Sequence, residues 1–315
     1  MNKRIPGIHH VTAMASDPQR NVDFYANTLG LRLVKLTVNF DDPTTYHLYF
    51  GDERGSPGTL LTFFPWPGAA RGQVGTGQVA ATTFLVPEGS LDYWEERLRQ
   101  QGAALFERKQ RFDEEVLPFL DPDWMRMELV ARSGADIIEP WEEGGIPLDY
   151  AIRGFDGVTM WEQDPAPSLD LLTGTMGFKL VGEEGPRTRL QAASNGAGAL
   201  VDLLHLPDHE RGRQGAGTVH HVAWRAPDEA QQLAWRKDVA AQGLNVTPVV
   251  DRQYFRSIYF REPGGVLFEI ATDPPGMDWD EPVEALGTGL RLPTWLESRR
   301  ADVEAALPAL VLPGS

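Results

Sequence analysis

The sequence predicts an α+β protein in which helices pack on curved antiparallel sheets. Three observations predict it. Apolar strand-like openings recur along the chain, each is followed by a helix, and each unit closes in β-rich sequence with a turn. The openings read Gly-Ile-His-His-Val-Thr-Ala (7–13), Gly-Gln-Val-Ala-Ala-Thr-Thr (77–83), Gly-Phe-Asp-Gly-Val-Thr-Met (154–160) and Gly-Thr-Val-His-His-Val-Ala (217–223). Their period of roughly seventy residues is longer than that of solenoid repeats. One strand-helix-strands unit is therefore used four times.

The helices follow in order. In the first copy Asp17 can cap the helix and Pro18 fits its first turn. Val22, Tyr25 and Leu29 then share a face, and Gly30 suits the exit. The third copy repeats this with Asp164, Pro165, Leu169, Leu172 and Gly177. The second helix is expected from Ser90 to Gln101, stopping at Gly102, and the fourth from Asp228 to Gln242, stopping at Gly243. The closing strands read Leu-Tyr-Phe-Gly-Asp-Glu-Arg-Gly-Ser-Pro-Gly-Thr-Leu-Leu-Thr (48–62) in the first copy and Ile-Tyr-Phe-Arg-Glu-Pro-Gly-Gly-Val-Leu-Phe-Glu (258–269) in the fourth. Aligned on the last glycine of the turn, copies one, three and four place Thr62, Asp202 and Glu269 at one position, and Glu128 falls in the matching strand of copy two. A linker around Pro140–Pro147 divides the chain into an N-terminal half (1–145) and a C-terminal half (146–275). A tail (276–315) comes last, with a final helix expected over Pro293–Leu307 and packing through Trp295 and Leu296.

A chain of 315 residues can bury a sizeable core, and 42% hydrophobic with 23% charged residues is ordinary for a soluble globular protein. The net charge of -16 argues against nucleic-acid and anionic-membrane partners. Cysteine is absent, which excludes disulfides, thiolate ligands and a cysteine nucleophile. No stretch is apolar enough for a membrane span or a signal peptide, so a cytoplasmic enzyme is expected. The run Gly72-Gln-Val-Gly-Thr-Gly77 lacks the lysine and helix of a phosphate loop and reads as a connector, with a loop over the site as the alternative.

The chemistry lies in two His-His pairs, His9-His10 and His220-His221, and in Glu269 after the second. Two imidazoles and a carboxylate are a recurring metal-binding set, suited with open positions to non-haem Fe(II) oxygen chemistry. At the second histidine the four copies carry His10, Ala80, Gly157 and His221, so only the outer copies supply imidazoles. One site shared by copies one and four is the economical reading. Adjacent strand residues face opposite sides, so either histidine of each pair suits a ligand role on pattern alone, and a bulge or a deep cleft is needed for both to reach one pocket. Glu269 lies among Val266, Leu267, Phe268 and Ile270, where a carboxylate is costly unless paired or bound to metal. Glu128 and Asp202 have no histidines beside them and are expected to be solvated or salt-bridged.

Taken together, Tyr-His-Leu-Tyr-Phe (46–50), Val-Asp-Leu-Leu-His (201–205), His-His-Val (220–222) and Pro-Gly-Gly-Val-Leu-Phe-Glu (263–269), in this order and spacing, resemble the vicinal oxygen chelate superfamily. Within it the chain is similar to the ring-cleaving dioxygenases that act on hydroquinones. The resemblance implies four βαβββ modules forming two curved antiparallel sheet domains, with the first and last modules together. It also implies Fe(II) held by His10, His221 and Glu269, and polar residues around the metal and ring at His9, Thr12, His220, Arg252 and Tyr259. The implied partners are a small aromatic diol and O2. Mn(II) in the same set, or Zn(II) as an adventitious occupant, stays open, as does a homo-oligomer. Two other functions remain: a lactoylglutathione-lyase-type isomerase, disfavoured by Thr62 where a second carboxylate would sit, and a small-molecule sequestering resistance protein, which needs no triad.

Overall fold

The computed structural model describes residues 4–135, 139–194 and 196–313; residues 1–3 and 314–315, at the ends of the expected N-terminal half and tail, lie outside it. Module one contains β1 (Ile8–Ala15), β2 (Arg32–Asn39), β3 (Asp42–Gly51) and β4 (Leu60–Pro65). Module two contains β5 (Gln78–Pro87), the short β6 (Ala104–Leu105) and β7 (Lys109–Arg111), then β8 (Glu114–Leu120) and β9 (Arg126–Arg132). Module three contains β10 (Phe155–Glu162), β11 (Lys179–Glu184), β12 (Arg187–Gln191) and β13 (Leu200–His205). Module four contains β14 (Thr218–Ala226), β15 (Val250–Asp251), β16 (Phe255–Arg261) and β17 (Leu267–Pro275).

Each module carries its helix after its first strand. Asp17 caps α1 (Pro18–Val22) by accepting from the Arg20 N–H, and a π-helical turn continues it to Thr28. Gly30 then leaves with φ +70°, a conformation glycine adopts without penalty. The other module helices are α2 (Leu91–Gln100), α3 (Ala166–Asp170, again extended by a π-helical turn) and α4 (Glu229–Ala241), capped by Asp228. Their apolar faces, with Val22, Tyr25, Trp94, Leu172 and Trp235 buried, lie in one hydrophobic core.

The sheets do not follow the two halves of the chain. One runs β15-β16-β17-β14-β1-β4-β3-β2 and joins modules one and four. The other runs β11-β12-β13-β10-β5-β9-β8-β6 and joins modules two and three. Sheet membership thus cuts across residue 145. Within each module the first and last strands run parallel, which makes both curved sheets mixed. The seam of each sheet is an antiparallel pair from different modules, β1 with β14 and β5 with β10.

Two expectations need correction. The last helix is shorter than Pro293–Leu307: the chain turns at Pro293–Leu296 and passes through a 3-10 turn (Glu297–Arg299), and α5 spans only Arg300–Ala306. Leu296 packs as expected with Val38, Leu292 and Val303, while Trp295 is half exposed. The glycine-rich run is a connector as expected, and the alternative of a loop over the site fails, because none of residues 72–77 lines the cavity beside His10 and His221. The connector pairs with the equivalent connector of the other half, through Arg71 with Ala216, Gln73 with Arg213 and Thr76 with Arg211.

Glu128 and Asp202 are salt-bridged, as the absence of histidines suggests. Arg189 binds both oxygens of Asp202 (2.8 and 2.9 Å) and also Glu114 (2.7 Å), while Arg111 reaches Glu128 (2.7 Å). Asp202 keeps Arg187 (2.9 Å) when Arg189 is removed, so its charge is weakened rather than stranded. Arg189→Met is therefore expected to cost about 1–3 kcal/mol in denaturant unfolding, and a loss under ~1 kcal/mol would mean that the remaining guanidinium groups suffice for Asp202.

A buried acid gives a second prediction. Burial and then the neighbouring Glu262 push the Glu162 carboxyl from 4.5 up to about 8. The folded protein thus keeps a proton that the unfolded chain loses, and stability falls as pH rises between those values. Asp121, pushed up to about 7 by burial, adds to the same slope. Glu162→Gln is expected to make Tm less dependent on pH between about 4.5 and 8; an unaltered slope refutes this.

Candidate metal centre

Register across the first sheet assembles the site in two rows. Tyr259, Glu269, Ala223 and His10 are successive partners across β16, β17, β14 and β1. His221, Thr12, Thr62 and Tyr49 are successive partners across β14, β1, β4 and β3. Alternation along each strand puts both rows on one face. Thr62 is thereby the topological counterpart of Glu269: Thr62 pairs with Thr12 in module one, and Glu269 pairs with Ala223 in module four.

His10 Nε2, His221 Nε2 and Glu269 Oε2 converge. The two nitrogens are 3.3 Å apart, and Oε2 lies 3.4 Å from His10 and 2.9 Å from His221. All three side chains are buried. Glu269 Oε1 accepts from the Ser257 hydroxyl, but Oε2 is buried with no hydrogen-bond partner. Burial alone would raise the Glu269 carboxyl; the imidazoles of His10 and His221 outweigh it and hold the group well below the usual carboxylate range. Burial lowers His221, so its imidazole is neutral. A carboxylate oxygen and two ring nitrogens meet at one point, where a single positive charge serves all three. A divalent cation fits it.

The first histidine of each pair sits at a bulge. The β1–β14 register passes from Ile8–Trp224 to His10–Ala223 and from Thr12–His221 to Ala13–Val219, which leaves His9 and His220 as the extra residues. Each turns Nδ1 towards Nδ1 of its neighbour, His9 to His10 at 2.9 Å and His220 to His221 at 2.7 Å. Burial, then His10, lowers His9 well below the ordinary imidazole value, and a hydrogen bond to the Thr272 backbone opposes this. His220 falls to about 3 through burial and then His221. Neutral His9 and His220 can accept at Nδ1, which makes the Nδ1 of His10 and His221 the donor. That tautomer leaves each Nε2 lone pair facing Glu269.

A cavity of about 370 Å³ opens beside the three donors. Its apolar wall includes Phe40, Phe64, Trp66 and Phe255, and its polar groups include His220, Arg252 and Tyr259. The five residues expected around a ring therefore separate. His220, Arg252 and Tyr259 line the cavity; His9 and Thr12 are buried and outside its lining. Arg252 Nε donates to the Tyr259 hydroxyl (3.1 Å), and its terminal nitrogen donates to Asp41 (3.0 Å). Burial, then the Glu269 charge, raises the Tyr259 phenol, so it stays protonated. Thr12 bonds Thr62 (2.8 Å), Thr62 bonds His47 Nε2 (3.0 Å), and His47 Nδ1 bonds the Tyr49 hydroxyl (3.0 Å). His47 and Tyr49 line the cavity. Sequence reasoning did not single out Tyr49, although its spacing from His47 puts both on one strand face.

Metal binding tests the donor set directly. Anaerobic titration with Fe(II) is expected to saturate near one ion per chain, and Glu269→Ala, His10→Ala and His221→Ala to lose it. Full metal retention by any of the three sinks that residue as a ligand. His9→Phe is expected to weaken the metal by about 10–100-fold through the lost tautomer control.

Residues 7–129 and 154–270 match the family model described as Glyoxalase/Bleomycin resistance protein/Dioxygenase superfamily. The chain is 48% identical over 307 residues to "Putative ring-cleaving dioxygenase MhqO" of Bacillus subtilis (strain 168), covering 98% of this chain and 97% of that protein. It is 36% identical over 309 residues to "Chlorohydroquinone/hydroquinone 1,2-dioxygenase" of Sphingobium indicum, covering 96% and 95%. A crystal structure from Bacillus subtilis subsp. subtilis str. 168 matches with a TM-score of 0.94 at 48% identity, covering 98% of this chain and 99% of that one. Maize glyoxalase I shares the fold, with a TM-score of 0.63 at 15% identity over 85% of this chain and 92% of that one. The four-module architecture, the seam that joins first and last modules, and these matches agree: the chain belongs to the glyoxalase, bleomycin resistance protein and dioxygenase superfamily.

Proposed function

We propose that the protein is an Fe(II)-dependent dioxygenase that cleaves the ring of a hydroquinone-type diol, with His10, His221 and Glu269 as the metal ligands. One observation carries the reading. The buried, unpartnered Oε2 of Glu269 and two imidazole nitrogens converge at the wall of an aromatic-lined cavity. The relatives named as ring-cleaving dioxygenases support it, since they align over nearly the whole chain. Thr62 counts against the isomerase. It occupies the strand position that would supply a second carboxylate, and its hydroxyl is taken up by Thr12 and His47.

Bound by those three residues, Fe(II) supplies Lewis acidity and an electronic link between an electron-rich ring and O2. The remaining steps belong to the side chains. Phe40, Phe64, Trp66 and Phe255 hold an aromatic ring and keep water from it. Neutral His220 accepts at Nδ1 from His221 and so carries its proton on Nε2, which donates to a substrate oxygen as a general acid. Arg252 remains charged and faces the developing phenolate. Tyr259 receives Arg252 on its oxygen and donates its own proton to a substrate oxygen. Both atoms of O2 enter the product, so no external reductant is needed.

The test is oxygen uptake by anaerobically Fe(II)-loaded protein given hydroquinone, methylhydroquinone, chlorohydroquinone or catechol. One O2 consumed per para-diol opened, lost in Glu269→Ala, is the expected result. No uptake with any diol, despite confirmed iron, overturns the reading and makes thiol-adduct isomerisation the next assay. His220→Ala is expected to keep its iron and lose turnover by about 10²–10⁴-fold; unchanged turnover removes it from the chemistry.

A further inference from the structure

The tail after β17 touches both sides of the cavity mouth, yet among the described residues none of it lines the cavity. On one side stands the tight turn Arg252–Phe255. Arg252 and Phe255 face the cavity, and the Phe255 ring packs on the rings of His9 (5.1 Å) and His10 (4.9 Å). Between them Gln253 has φ +69°, and Tyr254 is buried away from the cavity lining. The Tyr254 hydroxyl donates to Asp280 (2.9 Å), and its carbonyl accepts from the Gly276 N–H (3.0 Å). Fully buried Lys35 donates to Asp280 (2.7 Å) and to Glu281, and stands 4.6 Å over the Tyr254 ring.

On the other side stands the β2–β3 hairpin, which presents Phe40 and Asp41. Phe40 rests edge-on against Trp295 (5.6 Å), and Val38 below it packs on Leu292 and Leu296. The tail also runs beside β2, with the Arg291 N–H bonded to the Leu36 carbonyl (2.9 Å). The Arg252–Asp41 ion pair (3.0 Å) links the two sides. It is largely solvated, with Asp41 73% exposed, and too weak alone to fix their separation. The buried Lys35 charge is different, because freeing it from Asp280 and Glu281 would strand it without water.

We infer that the tail from Met277 to Trp295 is a positioning element for the substrate cavity, with Asp280, Lys35 and Tyr254 fixing the turn that carries Arg252 and Phe255. The inference deepens the dioxygenase reading and rests on it for the identity of the ligand. Two hydrogen-bonded carboxylates and a cation-π contact orient the turn from behind. Trp295 sets the stance of Phe40, and with it the width available to ring substituents.

Tyr254→Phe removes one hydroxyl and keeps the ring against Lys35. In full-length, Fe(II)-loaded enzyme it is expected to retain wild-type iron content. Its KM and its anaerobic calorimetric Kd for hydroquinone are expected to rise about tenfold, the size of one charge-assisted hydrogen bond, with kcat changed less. Asp280→Asn is expected to act in the same direction. Trp295→Ala is expected to narrow the discrimination between hydroquinone and chlorohydroquinone. Wild-type Kd, KM and kcat in both Tyr254→Phe and Asp280→Asn would overturn the inference. Hydrogen exchange supplies a readout that needs no substrate: amides of residues 252–255 are expected to exchange faster in Tyr254→Phe, and unchanged exchange overturns the inference. If wild-type protein neither binds nor turns over any diol while exchange does respond, the functional reading fails and the positioning role stands.

Discussion

The antiparallel pairing of β1 with β14 is the contact on which the site depends. It joins strands more than two hundred positions apart in the sequence, and its register alone decides which side chains meet. A slip of one residue would put His10 and His221 on opposite faces of the sheet. The two bulges protect against that slip and have a second use. They let His9 and His220 lie against their neighbours, so that strands which should offer one imidazole each bring two into contact, a proposed ligand and its orienting partner. The cost of burying Glu269 is met only in part, by the Ser257 hydroxyl on Oε1, and Oε2 is left facing the two ring nitrogens with no hydrogen-bond partner.

The second sheet repeats the geometry and reaches another solution. Asp202 pairs with Thr159, and Glu128 with Thr83, as Glu269 pairs with Ala223 and Thr62 with Thr12. No histidine flanks these carboxylates, and guanidinium groups from Arg111, Arg187 and Arg189 reach them instead. An arginine supplies its own hydrogen bonds and cannot lose its proton, so the space closes into a charged core rather than an exchangeable site. One topology thus gives a cavity in one sheet and a fixed ion network in the other. The difference lies in a few residues on matching strands.

Much of this was legible in the chain. Apolar openings, Asp-Pro helix starts and exit glycines located the four modules, because those signals depend on local backbone preferences. The candidate ligands were legible for a different reason: His10, His221 and Glu269 occupy matching strand positions that the middle copies leave without imidazoles. Pairing between modules was not legible from local pattern, since no nearby residue specifies that β1 seeks β14. Nor was the role of His47, whose hydrogen bond to Thr62 depends on β3 lying next to β4. The over-long last helix reflects the same limit. Trp295 and Leu296 have helical spacing with the residues of α5, but packing on Val38 sets a turn there instead.

The order of modules in the sheets has a consequence for biogenesis. Modules two and three are adjacent in sequence and share a sheet, so their partners leave the ribosome close together. Module one has no seam partner until β14 has been made, and Glu269 emerges later still. During that interval the free edge of β1 is a row of unpaired backbone groups on a nascent chain, the kind of surface that recruits chaperones or mispairs. With the proposed ligand set, metal capture is tied to the same clock. A nascent or truncated chain that ends before residue 269 holds the two imidazoles at most, so on the proposed ligand set it would not load metal before it is nearly complete.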